Sequence, residues 1–471
     1  MSSRHIRHAS SPPTDEATLN SMKQDILAAI ARDVVHVQHH AHGRGSSHTV
    51  YIGTAGIALM QTQLSTRDIL PTGLSSEDLI YKASDNLKSA LRTMQDAQSL
   101  ITPSRMSFLE TDVGVATLVL LDVVETGFVS PFFNRCEAVL RDGIAAAVQE
   151  LDDSVCDVLY GRAGLLYALL RLRGALINHD TVILPADPEA AESREIITTA
   201  LTDLTCDDNI QAVVQAIIDL GRQEAKLYAT EVSEARSGLA TPPLLWAWHR
   251  KRYLGAAHGV AGILHILWHC PRDVLAPYRL EMLSTLEWLV NLQDASGNWP
   301  TKAPGVFDHH HGEDNELVQW CHGATGILIL LSAILRQSNH HPLRNSLHAK
   351  AATALHRGAR LVYQHGLLRK GVGLCHGIAG SVYALLAASD AFDILDDFTE
   401  HRAERYRLKA LHLAHLATDH EVLTTNGEMK VPDRPWSLYE GMAGMCCAWM
   451  EILCRMSDEE RRVGMPGFDD F

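Results

Sequence analysis

The chain has little of what would place it in a membrane, outside the cell or on nucleic acid. Its apolar stretches are short: "GILILLSAIL" (326–335) covers half of the roughly 20 residues a helix needs to cross a bilayer. Basic residues are outnumbered, 41 Lys and Arg against 56 Asp and Glu, giving a formal net charge of −15. That balance argues against nucleic acid as the main partner, because a phosphate backbone wants a broad basic face; a local basic pocket remains compatible with it. The nine cysteines are an odd number with no short-spaced disulfide framework, and the opening "MSSRHIRHAS" has no apolar core of a secretory signal. No glycine follows the initiator Met, so the N-myristoylation signal is missing too. A cytoplasmic chain with reduced thiols is expected, and such thiols are potential metal ligands. Strand-like alternation is scarce, which leaves helix as the main element.

Apolar residues are abundant, at 46%, and they recur in a pattern. A Gly-x-x-Gly element followed by an apolar run begins at Gly53, Gly161, Gly259, Gly323, Gly377 and Gly441. A degenerate copy, "TDVGVATLVLL", has Thr111 in the first glycine position and Gly114 in the second. The seven starts are separated by 58, 50, 98, 64, 54 and 64 residues, so the chain reads as a repeat architecture with an insertion between 161 and 259. The part of that insertion around "INHDTVILPADPEAAES" is loop-like. Amphipathic helices lie between the motifs, as in "NIQAVVQAIIDLGRQEAKLY" (209–228) and "YRLEMLSTLEWLVNLQ" (278–293). The expected fold is all-α: an α/α toroid of seven inner and seven outer helices, with the Gly-x-x-Gly motifs at the inner-helix starts. Residues 21–471 would form this single domain, after a polar stretch, 1–20, expected to be disordered.

Chemistry enters just before the glycines. Cys321 precedes Gly323 by two residues; Cys375 and His376 directly precede Gly377. If the ring closes, these starts converge. Two thiolates and an imidazole suit zinc and leave a fourth position open; buried structural cysteines are the alternative. The His-rich stretches "FDHHHGED" (307–314) and "HVQHHAHGR" (36–44) read as surface loop or helix end, and Cys446 and Cys447 as core.

The ordered segments "YIGTAGIAL" (51–59), "LYGRAGLLYALL" (159–170), "YLGAAHGVAGIL" (253–264), "WCHGATG" (320–326), "GLLRKGVGLCHGIAG" (366–380) and "SLYEGMAG" (437–444) closely resemble the eukaryotic LanC-like proteins, relatives of the bacterial lanthionine synthetase cyclases. The resemblance spans residue 50 to the end. It implies the double helical ring and one zinc ion (Zn2+) per chain on Cys321, Cys375 and His376. It implies an enzyme that adds the thiol of glutathione to dehydroalanine or dehydrobutyrine residues, with His258 as the acid that protonates the resulting enolate. Glutathione, proteins or peptides carrying dehydroamino acids, and protein kinases are the implied partners. A glutathione-binding adaptor without turnover is the rival reading.

For glutathione itself the resemblance implies contacts from Lys370 and from Lys430, Val431, Pro432 and Asp433. The family typically has Arg and Thr where this chain has Lys430 and Val431, so a bidentate fork and a hydroxyl are lost. A pairing of Lys370 with a buried carboxylate would contribute about 1.5–3 kcal/mol. Glu110 and Thr111 replace a Cys-Gly pair of the relatives, with an architectural effect expected. Leu317 stands where bacterial members have Arg, and His322 where many have Tyr. Arg162 is a candidate cation from another repeat.

Overall fold

The computed structural model describes residues 4–41, 47–96, 101–149, 155–179, 188–305, 316–338, 343–395, 401–457 and 462–471. Among them the chain forms helices α1 (Glu16–His40), α2 (Thr54–Ser65), α3 (Ser76–Asp96), α4 (Asp112–Thr126), α5 (Phe133–Ala147), α6 (Arg162–His179), α7 (Pro188–Leu204), α8 (Asp207–Glu234), α9 (Val260–Trp268), α10 (Arg272–Leu275), α11 (Arg279–Asn291), α12 (Ala324–Arg336), α13 (Asn345–His365), α14 (Ile378–Leu395), α15 (Arg402–Leu416), α16 (His420–Thr425) and α17 (Met442–Arg455). No strand is found among the described residues.

Each of the seven motif copies opens a helix, and these seven, α2, α4, α6, α9, α12, α14 and α17, pack in that order until α17 meets α2 and closes the ring. They are apolar on all sides because both faces are covered, one by the ring interior and one by the outer helices. α14 has the length and apolarity of a membrane span, a mean hydropathy of 1.4 over 18 residues, which the sequence reading had not expected of any stretch; 83% of it is buried within the ring. The outer helices α3, α5, α8, α11, α13 and α15 each follow their inner partner and pack on it, with α7 as an additional helix against α6. The outer partner of α17 is α1, from the other end of the chain. The insertion is thus mainly helical; its loop-like residues 180–187 lie outside the described residues, as does the whole "FDHHHGED" stretch (307–314).

The stretch expected to be disordered is placed from Arg4 onward. Ile6 is buried and its N–H donates to Leu367 O at 2.8 Å, while Arg369 N–H donates to Arg4 O at 3.1 Å. One apolar side chain and two backbone bonds are enough to hold so short a polar arm against the body. His40, at the end of α1, stacks on Trp436 with centroids 4.4 Å apart, so that His-rich run ends a helix as expected, with residues 42–44 outside the described residues.

The glycines allow close approach, both of the neighbouring repeat, as where an added Cβ at Gly326 would lie 2.5 Å from Ala256 Cβ, and of the chain's own incoming segment. Each incoming segment curls under its own helix start. At Gly114 an added Cβ would lie 1.9 Å from Phe108 O, six residues upstream. Gly323 has φ +89° and an added Cβ there would lie 1.8 Å from Leu317 O. Gly323→Ala should therefore destabilise the fold by about 3 kcal/mol or more, from backbone strain and overpacking together; urea unfolding checks this. Thr111 is tolerated in a first-glycine position because its φ of −133° is open to any residue. Its Oγ1 donates to Ser107 O at 2.6 Å and accepts from Val113 N–H at 3.3 Å, capping α4.

Candidate metal centre and active site

The helix starts are laced together by the backbone of the residue two positions before each first glycine site. Cys321 N–H donates to Cys375 O (3.3 Å), Cys375 to Tyr439 O (2.8 Å), Tyr439 to Tyr51 O (3.0 Å) and Tyr51 to Leu109 O (2.9 Å); Leu159 donates to Ala257 O (3.2 Å). Each bond joins neighbouring repeats around one end of the ring. This belt sets Cys321 beside Cys375. Their sulfurs and a ring nitrogen of His376 all lie within 4.8 Å of one another, the cysteines buried and His376 nearly so.

The donor set fits zinc in kind and in surroundings. Gln319 Nε2–H donates to Cys321 Sγ at 3.0 Å, and the Tyr51 hydroxyl donates to the Cys375 sulfur; supporting contacts of this sort orient metal ligands. Without metal the two thiols compete. A hydrogen bond from Cys375, helped by His376, holds Cys321 well below the ordinary thiol range. Burial and the neighbouring Cys321 push Cys375 well above it. The pair thus favours a single thiolate, and a divalent cation would be needed to ionise both.

His258 precedes Gly259 and faces the same end of the ring. Its Nδ1 is 2.6 Å from Asp157 Oδ2, and its ring lies flat on Trp248 at 3.9 Å and 4°. Asp157 is buried, and its other oxygen accepts from Tyr160 N–H (2.7 Å) and Gly161 N–H (3.0 Å). The carboxylate fixes His258 as the Nδ1–H form and leaves Nε2 for the pocket. Asp157, Trp248 and Tyr51 went unrecognised in the sequence. Asp157 has the look of a turn residue four places before a helix start, which it also is.

The residue directly before each first-glycine position supplies a further rule: Ile52, Glu110, Tyr160, His258, His322, His376 and Glu440. Six of the seven are polar, which makes this a polar register at the end of the ring that holds the cysteine set. Glu110 is part of it, so its effect is more than architectural. Burial, aided by Glu440 and opposed by Arg105, raises its carboxyl to about 7. A folded-state value above the usual 4.5 means that folding favours the protonated form, so stability falls as pH rises from about 5 to 7. Glu110→Gln should flatten that slope, measured as urea midpoints at the two pH values.

Burial lowers the pKa of His322, where the charges of His258 and Lys370 add to the effect. Lys370 also acts on Cys375, which puts this lysine near both. The 430–433 segment joins it: Lys430 N–H donates to Arg369 O at 2.7 Å, and Pro432 packs by Gly371. Lys370, Lys430 and Asp433 are exposed, Pro432 is half-buried, and Val431 is 66% exposed, so the segment forms a rim. An exposed lysine gains less than the buried pairing expected from sequence: if glutathione binds here as the resemblance implies, Lys370→Ala should weaken it only about two- to five-fold, measured by calorimetry. Arg162 does not serve the pocket. It is buried, with Nε donating to Ala147 O (2.6 Å) and Nη2 to Gln149 O (2.8 Å). Cys446 and Cys447 are buried in α17, as expected for core.

Residues 46–465 match the family model described as lanthionine synthetase C-like protein. The chain belongs to the lanthionine synthetase C-like family. It is 28% identical over 426 residues to a Danio rerio relative named "Glutathione S-transferase LANCL1", a match covering 89% of this chain and 85% of the relative. It is 29% identical over 318 residues to the Arabidopsis thaliana "LanC-like protein GCL1", covering 66% of this chain and 57% of that one. Among solved structures, nisin cyclase aligns with 15% identity and a TM-score of 0.49, covering 91% of this chain and 94% of the cyclase.

Proposed function

We propose that this lanthionine synthetase C-like chain is a zinc-dependent enzyme that adds the thiol of glutathione to dehydroalanine or dehydrobutyrine residues of proteins or peptides. The observation that carries the reading is the meeting, at one end of the ring, of the Cys321, Cys375 and His376 ligand set with the Asp157–His258 pair. The name of the zebrafish relative supports glutathione as the thiol.

A zinc ion on Cys321, Cys375 and His376 would make a bound thiol ionise near neutral pH and hold its sulfur for attack. Gln319 and Tyr51 keep the two protein sulfurs oriented. Lys370 and Lys430 at the rim attract the carboxylates of glutathione, and the 430–433 segment shapes that side of the pocket. Sulfur adds to the β-carbon of the dehydroamino acid, a C–S bond forms, and the alkene electron pair moves into an enolate. The α-carbon then takes a proton from Nε2 of the His258 imidazolium, which Asp157 stabilises. The thiol's own proton passes to solvent and restores His258. Binding a thiol requires no acid near the sulfur, so the pairing of His258 with the buried Asp157 favours turnover over an adaptor role. The nine free thiols suit a cytoplasmic enzyme.

Asp157→Asn should retain zinc while slowing addition, since the imidazolium loses its counter-ion. The decisive experiment is incubation of the zinc-loaded protein with glutathione and a dehydroalanine peptide, followed by mass spectrometry. A glutathione adduct is expected. No adduct across several dehydrated substrates, with full zinc, would favour the adaptor.

A further inference from the structure

We propose a second metal site, for a zinc-class divalent cation, inside the ring on His265, His269 and Asp469. The two histidines are spaced i and i+4, His265 on α9 and His269 at its C-cap, which puts both on one face. His265 is six residues into the helix from Gly259, roughly 9 Å further along the axis than the start that carries His258. The third member arrives from the C-terminal tail, which turns into the ring: Met465 and Phe468 are buried, and Tyr167 of α6 donates to Asp470 Oδ1 at 2.7 Å.

The ligand atoms of this trio all lie within 4.8 Å of one another. His269 Nδ1 donates to His265 O at 2.8 Å. A carbonyl only accepts, so Nδ1 carries the proton and Nε2 presents a lone pair. Metal-binding histidines are commonly held by such a bond from their other nitrogen. His265 is fully buried. Its Nε2 is 3.2 Å from Asp469 Oδ1, which makes no hydrogen bond, and 3.2 Å from Phe468 O; its Nδ1 has no hydrogen-bond partner. A charge-assisted hydrogen bond would be shorter, near 2.7–2.9 Å. Two ligands on one tetrahedral zinc, at bond lengths of about 2.1 Å, stand about 3.4 Å apart. A carbonyl only accepts, so in the metal-free chain His265 Nε2–H donates to Phe468 O; coordination switches His265 to its Nδ1–H tautomer and turns the Nε2 lone pair to the metal.

Aromatic rings shape the surroundings. Phe468 stacks on His265 at 4.5 Å and Phe471 on His269 at 4.1 Å. Arg336 Nη2 is 3.7 Å from the other Asp469 oxygen and helps hold the carboxylate. Imidazole and carboxylate donors select zinc-class ions over magnesium or calcium. The site contains no thiolate, so its signature differs from that of the cysteine centre. It would tie the tail to α9 and fix the plug that fills the ring.

The test uses full-length Cys375→Ala protein, stripped with a chelator, dialysed against zinc and measured by elemental analysis. About one equivalent should remain, and it should be lost when His269→Ala or the shape-preserving Asp469→Asn is added. Cobalt loading of the Cys375→Ala protein should give visible ligand-field bands without thiolate charge-transfer bands. No retained metal, retention that survives both added changes, or thiolate bands would each overturn the site. Asp469→Asn preserves packing, so a fold lost in the His269→Ala protein leaves the outcome readable.

Discussion

In His258→Asn protein, adduct formation should fall by about 100- to 10,000-fold, the usual contribution of a positioned general acid, while the cysteine-centred zinc and glutathione binding persist. The expectation rests on a division of labour. In the proposed reaction, thiol activation falls to the Cys321, Cys375 and His376 set, and proton delivery to the His258 ring, held by Asp157 at 2.6 Å and flattened on Trp248. Asparagine can accept or donate a hydrogen bond but cannot supply an imidazolium proton. Solvent would still protonate the enolate slowly, leaving a residual rate and scrambled stereochemistry at the α-carbon. Rates on one dehydroalanine peptide, with zinc measured in both proteins, check it; equal rates would remove His258 from the chemistry.

Cys375→Ala should empty the cysteine centre of zinc and reduce addition to the rate of free glutathione. Only three protein ligands serve this site, and Cys375 is buried at its middle, bonded through its backbone to Cys321 on one side and Tyr439 on the other. Those are main-chain bonds, so alanine keeps the belt and removes only the sulfur. The fold should survive, which makes metal content a clean readout. Cobalt-loaded protein shows it directly: thiolate-to-cobalt bands present in the unmodified chain should fade in the variant. Undiminished bands would mean that the ligand set lies elsewhere. A Cys446→Ala control, in the apolar core of α17, should leave them unchanged.

Much of this molecule is legible because it repeats. Seven in-phase motifs and all-apolar runs after them define seven buried helices, since a helix that is apolar on every side must be covered on every side. The same phase places Cys321, Cys375, His376 and His258 at helix starts, so their convergence follows from ring closure. The register directly before the first glycine position was open to inspection as well; Glu110, Tyr160 and Glu440 stand in it beside the three histidines.

Only the tertiary structure decided which distant residues share that end of the ring. Asp157 lies 101 positions from His258 and, by sequence, is indistinguishable from a turn former, because its turn bonds and its bond to the histidine use different oxygens of one carboxylate. Likewise α1 completes the outer ring against α17, and Asp469 reaches α9, through contacts between remote parts of the chain. Local periodicity reports which face of a segment is buried. It carries no information on which remote segment covers that face, and closure of the ring settles that.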